Sequence, residues 1–154
     1  MAILAGCSSS ITFDDLEPLL VQEWNLPAGV TGSQTLVDAP QMFEDVPPAT
    51  IKIFRVFEKD NERNGGIAVF VYDDAETARN AYDIIFDGMG PFTTASDIGE
   101  KSSISTLPPA LPLSSDVLWG NCTYVAHVRI PASADDAYGY AKRVEARLTK
   151  EVCP

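Results

Sequence analysis

The sequence predicts an α+β domain, with a mostly antiparallel sheet and helices packed on one face, ordered as a helix followed by two strand-strand-helix units. Three observations carry this. Apolar residues recur at helical spacing in three stretches, β-branched and aromatic runs precede the second and third of them, and Pro- and Gly-rich segments interrupt the rest. A length of 154 residues suits one domain, and 45% apolar with 21% charged content is the composition of chains that pack a core.

Phe13, Leu16, Leu19, Leu20 and Trp24 lie at helical spacing behind Thr12-x-x-Asp15, a pair able to cap a first turn, so the first helix is expected over 12–24. Pro27, Pro40, Pro47 and Pro48, with Gly29 and Gly32, break helices between 25 and 50 and leave room for a short strand near Thr35 to Val37. Ile51 to Glu58 and Ile67 to Asp73 read as a hairpin with an extended polar turn from Lys59 to Gly66. The second of these runs is apolar at successive positions, which places it centrally in the sheet. Ala75, Ala78, Ala81, Tyr82, Ile85 and Phe86 mark the second helix, with Gly88 as its stop. A weaker strand around Asp97 to Thr106, a Pro-rich loop and a long apolar strand from Val117 to Ile130 follow. The third helix carries Ala137, Tyr140, Ala141, Val144, Leu148 and Val152 on one face.

A formal charge of −11 repels phosphate backbones and anionic headgroups. Lys142, Arg143, Arg147 and Lys150 are interleaved with Glu145 and Glu151, the pattern of a solvated helix face, so no nucleic-acid partner is expected. No run of about 18 apolar residues is present to span a membrane as a helix.

Residues 1–11 read as an N-terminal segment and tether, and 12–154 as the folded domain. Leu4-Ala5-Gly6-Cys7 resembles the bacterial lipobox, in which a diacylglyceryl group is attached to the cysteine, and Ser8 to Ser10 suits a flexible tether. Only three residues precede Leu4, fewer than a signal peptide needs, so a shortened leader and a chance match both stand as explanations. The serine run favours the first. With Cys7 set aside, Cys122 and Cys153 make an even pair. A strand of about 26 Å from Cys122 and a helix of about 26 Å returning over it bring Cys153 back to Cys122. A bridge there requires an oxidising compartment; two reduced thiols are the alternative.

The lipobox-like start, the opening helix, the two strand-strand-helix units and Gly120-Asn121 leading into an apolar strand resemble small bacterial lipoproteins of uncharacterised function. That resemblance implies a cell-envelope location, with the membrane reached only through a lipid on Cys7. It carries no catalytic residues.

Asp14-Asp15, Asp73-Asp74 and Asp135-Asp136 each fall at the start of a predicted helix, where a carboxylate caps free N–H groups and meets the positive end of the dipole. Asp60, Glu62 and Asn64 with Gly65 resemble the first half of a calcium loop, but the position where its bidentate Glu belongs is Val71. A plain turn is favoured over a metal site. His127 is the only histidine, and strand alternation puts it with Thr123, Val125 and Arg129 on the wetter face. No phosphate-binding glycine motif is present, and no cofactor is expected.

The proline-stiffened stretch Leu107 to Leu113 leads to Trp119. Leu111, Leu113 and Trp119, with Trp24, form the candidate surface for a small ligand or an envelope protein, unless the loop folds down and its leucines join the core. The expected function is a non-catalytic binding module. The alternative is a divalent-cation-dependent or hydrolytic enzyme drawing on the acidic residues.

Overall fold

The structure is a computed structural model that describes residues 10–20, 26–89, 91–95, 97–106 and 114–153. Within these, seven strands form one antiparallel sheet: β1 (Val30–Leu36), β2 (Ile51–Lys59), β3 (Glu62–Val71), β4 (Thr93–Ala95), β5 (Lys101–Thr106), β6 (Ser115–Asn121) and β7 (Tyr124–Ile130). Their spatial order is β1-β2-β3-β7-β6-β5-β4. The helices are α1 (Phe13–Leu16), α2 (Ala75–Met89) and α3 (Ala134–Val152), with 3-10 turns at Glu17–Leu20 and Gln41–Phe43. The α+β class and the antiparallel sheet are as the sequence predicts.

The strands that lead into α2 and α3, β3 and β7, are paired at the sheet's centre, Ile67 opposite Val128 and Val69 opposite Ala126. β3 is buried on both faces, and two apolar layers account for that. Leu16, Leu20 and the buried stripe of α3 pack on Ile53, Phe57, Val69, Trp119 and Tyr124. On the opposite face, Ala78, Ala81, Tyr82 and Ile85 of α2 pack with Phe43 on Phe54, Phe70, Leu118 and Val125. Thus α1 and α3 share one face and α2 covers the other. A strand with apolar side chains at consecutive positions needs cover on both sides.

Several boundaries differ from the expectation. Pro18 lacks the N–H that an α-helix would use, and α1 passes into a 3-10 turn after one turn. Residues 21–25, including Trp24, lie outside the described residues. A seven-residue edge strand, β1, replaces the short strand near 35–37; it starts after a turn at Gly29, whose φ of 80° suits glycine. The β2–β3 turn is two residues long: Asp60 and Asn61 have φ of 55° and 64°, and Lys59 pairs with Glu62. Gly88 lies inside α2, which runs on to Met89.

The stretch 117–130 is a hairpin and not one strand. It reverses at Cys122 and Thr123, with Asn121 opposite Tyr124 and Cys122 at a φ of 48°. Antiparallel return of α3 still brings Cys153 to this turn, and Cys122–Cys153 is bridged with a Cα–Cα distance of 5.7 Å. Asn121 Nδ2 also donates to Glu145 and to Thr149, and Tyr124 Oη lies 3.1 Å from Thr149 Oγ1. The end of α3 is therefore tied to the β6–β7 turn covalently and by hydrogen bonds.

The acidic pairs behave as caps, with the roles distributed unevenly. Asp15 accepts from the Thr12 N–H and hydroxyl in a capping box. Asp74 accepts from Thr77 N–H at 2.7 Å and from its hydroxyl, while Asp73 accepts from Thr50 Oγ1. At α3 the cap is Ser133, which accepts from Asp136 N–H, and Asp135 and Asp136 occupy the first turn.

Candidate functional site

The face that carries α2 is incompletely covered. α2 lies over Phe70, Leu118 and Val125, and beyond it the sheet meets the 3-10 turn Gln41–Phe43 across a cleft of about 270 Å³. Its walls are Leu36, Pro40, Met42, Phe43, Phe54 and Val56. Phe43 holds the wall in place by ring contacts with Phe54 and Phe70, centroids 6.0 and 5.3 Å apart. Gly65 and Gly66 line the floor. A Cβ on Gly65 would stand 2.1 Å from the Arg129 carbonyl oxygen, so close passage of β3 and β7 requires glycine there.

The polar end is built by the β6–β7 hairpin, where Asp116 stands opposite Arg129. Arg129 donates to both carboxylate oxygens of Asp116, Nε to Oδ1 at 2.8 Å and Nη2 to Oδ2 at 3.1 Å. His127 Nε2 lies 3.1 Å from Oδ1 of the same carboxylate. Burial alone would raise the Asp116 pKa, but hydrogen bonds and charge from His127 and Arg129 outweigh it and hold the carboxyl below its ordinary range. Asp116 is 2% exposed and His127 3% exposed. Arg129 is the open member of the group, its side chain 35% exposed.

His127 was expected on the wetter face, and the structure corrects this. Phe43 and Phe92 pack edge-on against the imidazole, with centroids 5.8 and 6.5 Å away. Alternation along β7 divides the faces correctly, but it does not show that the 3-10 turn and the segment after α2 cover the second one. Among the described residues the hydrogen-bond partner of His127 is Asp116. The trio orients a guanidinium; it does not line up a nucleophile and base.

Of the expected binding surface, Trp119 is fully buried beneath α3 in the opposite core, which removes it from any surface. It alternates with Leu118 in a strand covered on both sides. Leu111, Leu113 and Trp24 lie outside the described residues, as does Cys7. Asp60 and Glu62 sit in and beside the β2–β3 turn, exposed, with Asn64 within β3. No cluster of three or more metal-ligating side chains occurs among the described residues. Asp116 and Arg129 were not singled out from the sequence; the signal was a lone Asp at the head of the apolar run Val117-Leu118-Trp119, two strands' length from an Arg.

A second depression of about 320 Å³ lies between α2 and the β5–β6 edge, lined by Arg79, Asp83, Glu100 and Lys101. Its charges are matched, Lys101 with Asp83 and Arg79 with Glu100, all well exposed. Such pairs contribute little.

No family model matches the chain, and no curated protein matches it in sequence. Among solved structures, the extracellular domain of PknH from Mycobacterium tuberculosis has a similar fold. The TM-score is 0.59 over 92% of this chain and 98% of that one, at 12% identity. At that identity the likeness is one of fold.

Proposed function

We propose that the chain is an exported, non-catalytic binding domain of a bacterial cell envelope, and that it holds a small ligand in the cleft between the 3-10 turn Gln41–Phe43 and the sheet. The observation that carries this reading is the cleft itself: apolar walls set by packed aromatic rings, with one guanidinium presented at its end by a buried carboxylate. Concave, mostly apolar sites with a few placed polar groups are the common form of small-molecule sites.

Export is supported by the Cys122–Cys153 bridge, which persists in oxidising compartments. The acidic charge of −11, poorly suited to nucleic acid, and the similarity in fold to an extracellular domain accord with it. No helix of the described residues is long and apolar enough to cross a membrane. Attachment through a lipid on Cys7, with Ser8 to Ser10 as tether, is the finer part of the proposal and rests on the Leu4-Ala5-Gly6-Cys7 motif.

The test is a thermal-shift screen of small apolar and amphiphilic compounds against the wild type and Met42→Trp. Met42 is half exposed at the cleft wall, so a larger ring there fills the site without entering the core. A ligand present at about 100 times its Kd adds about 2.7 kcal/mol, several degrees in Tm. Compounds that stabilise the wild type and not the variant support the reading. Equal shifts in both proteins, or none across the screen, contradict it.

A further inference from the structure

We propose that the cleft's ligand is a short anionic amphiphile, an apolar chain ending in a carboxylate or phosphate that meets the outer edge of the Arg129 guanidinium; this rests on the binding reading above. The chain as a whole carries −11, yet among the described residues lining the cleft no aspartate or glutamate occurs. The ionisable side chains that line it are Arg55, His127 and Arg129. Glu17 and Asp116 offset the charges of Arg55 and Arg129, so the cleft is near neutral in a chain that is acidic elsewhere, and an anion meets less repulsion there than over the rest of the surface.

The three basic groups are not equivalent. Arg55 is committed to Glu17 and Thr35 through its Nη1. His127 is buried with Nε2 against Asp116. Arg129 is fixed by Asp116 through Nε and Nη2, and no described residue holds its Nη1. A guanidinium has five N–H donors in a planar fork, so binding along one edge leaves donors on the other directed outward and already ordered. Asp116 lies beneath the surface and offsets the charge of Arg129, but it does not occupy that second edge. The head group thus finds an oriented donor in Arg129, and the chain finds apolar walls in Phe43, Phe54 and Met42. The volume of about 270 Å³ limits the apolar part to a short chain.

The experiment is isothermal titration of the full chain with four probes sharing one tail: octanoate, octyl phosphate, octanol and octyltrimethylammonium. At least one anionic probe is expected to bind about ten-fold tighter than octanol or the cation, the range of one charge-assisted hydrogen bond. Whichever anion is tighter names the head group. Arg129→Gln is expected to abolish the preference. Because that change also strips Asp116 of its main partner, Met42→Glu provides a second variant that leaves the trio intact. Because Met42 also touches the shared tail, every probe is expected to weaken, the anionic ones several-fold more than octanol; an equal loss for all of them counts against the head-group inference. Octanol binding as tightly as the anions overturns the head-group inference while leaving a ligand-binding cleft in place. Tighter binding of the cation, or no binding of any anionic probe, also overturns it, and the thermal screen then decides the broader reading separately.

Discussion

Removing the Cys122–Cys153 bridge by Cys122→Ser with Cys153→Ser tests the link between the β6–β7 turn and the end of α3. The bridge spans 31 residues. In the loop-entropy treatment a loop of that length restricts the unfolded chain by about 12 cal/mol/K, about 3.7 kcal/mol at 25 °C. For a chain of 154 residues that corresponds to a Tm lower by about 7–15 °C. The loss stops short of unfolding, because Asn121 still donates to Glu145 and Thr149, and the α3 stripe through Val144 and Leu148 remains buried. Urea unfolding followed by circular dichroism measures the difference, and hydrogen exchange locates it: amides of the last α3 turns lose protection first. The bridge and the Asp116–Arg129 pair stand at opposite ends of the β6–β7 hairpin, so ligand affinity at the cleft stays within about two-fold. A double variant within about 1 kcal/mol of the wild type would refute the reasoning, as would a uniform loss of protection across the sheet.

Further outcomes follow from other contacts. Asp116→Asn removes a buried charge from two cationic or polar partners and is expected to cost about 3 kcal/mol at neutral pH, read from the urea midpoint. Because the folded-state pKa of Asp116 is depressed, its contribution is fully present above the unfolded value of about 3.9 and is lost as pH falls through the folded one. The gap between wild type and Asp116→Asn therefore narrows below about pH 4, and a gap that widens there contradicts the assignment. Tyr140→Phe deletes the hydroxyl that donates to the Leu20 carbonyl at 2.7 Å and leaves that oxygen buried, at an expected cost of about 1–3 kcal/mol by chemical denaturation. Gly99→Ala is expected to destabilise by more than about 1 kcal/mol, since φ is 59° and a Cβ would stand 2.5 Å from the Gly120 carbonyl oxygen. A midpoint unchanged by this last substitution would show that the β5–β6 edge relaxes more freely than its geometry implies.

Much of this architecture is legible in the residues, and the losses have identifiable causes. The periodic stripes of α2 and α3 are long enough to read, and the Asp pairs mark their starts because capping chemistry is local. The cysteine pairing is also readable, since it depends on the lengths of two successive elements more than on their contacts. What failed depended on partners distant in sequence. Asn121-Cys122-Thr123 turns the chain without glycine or proline, so the β6–β7 hairpin passes for one strand. β4 and β5 carry few apolar residues, and buried Ser102 and Ser103 sit in β5, Ser103 satisfied by the Tyr82 hydroxyl at 2.7 Å. The candidate site suffered most. Alternation separates the faces of β7, but His127 looks exposed until Phe43 and Phe92, respectively 84 and 35 positions away in the chain, are folded over it. Asp116 and Arg129 become a unit only through strand register.

The central claim is that the cleft between Phe43 and the Asp116–Arg129 pair is where this domain binds, and chemical-shift mapping tests it most directly. Titrating octanoate into the uniformly 15N-labelled chain is predicted to give its largest amide shifts at Phe43, Gly66, Ala68, His127 and Arg129, together with a shift of the Arg129 side-chain Nε–H. Shifts confined to Arg79, Asp83 and Lys101 around the second depression, or spread without focus over the surface, would contradict the claim.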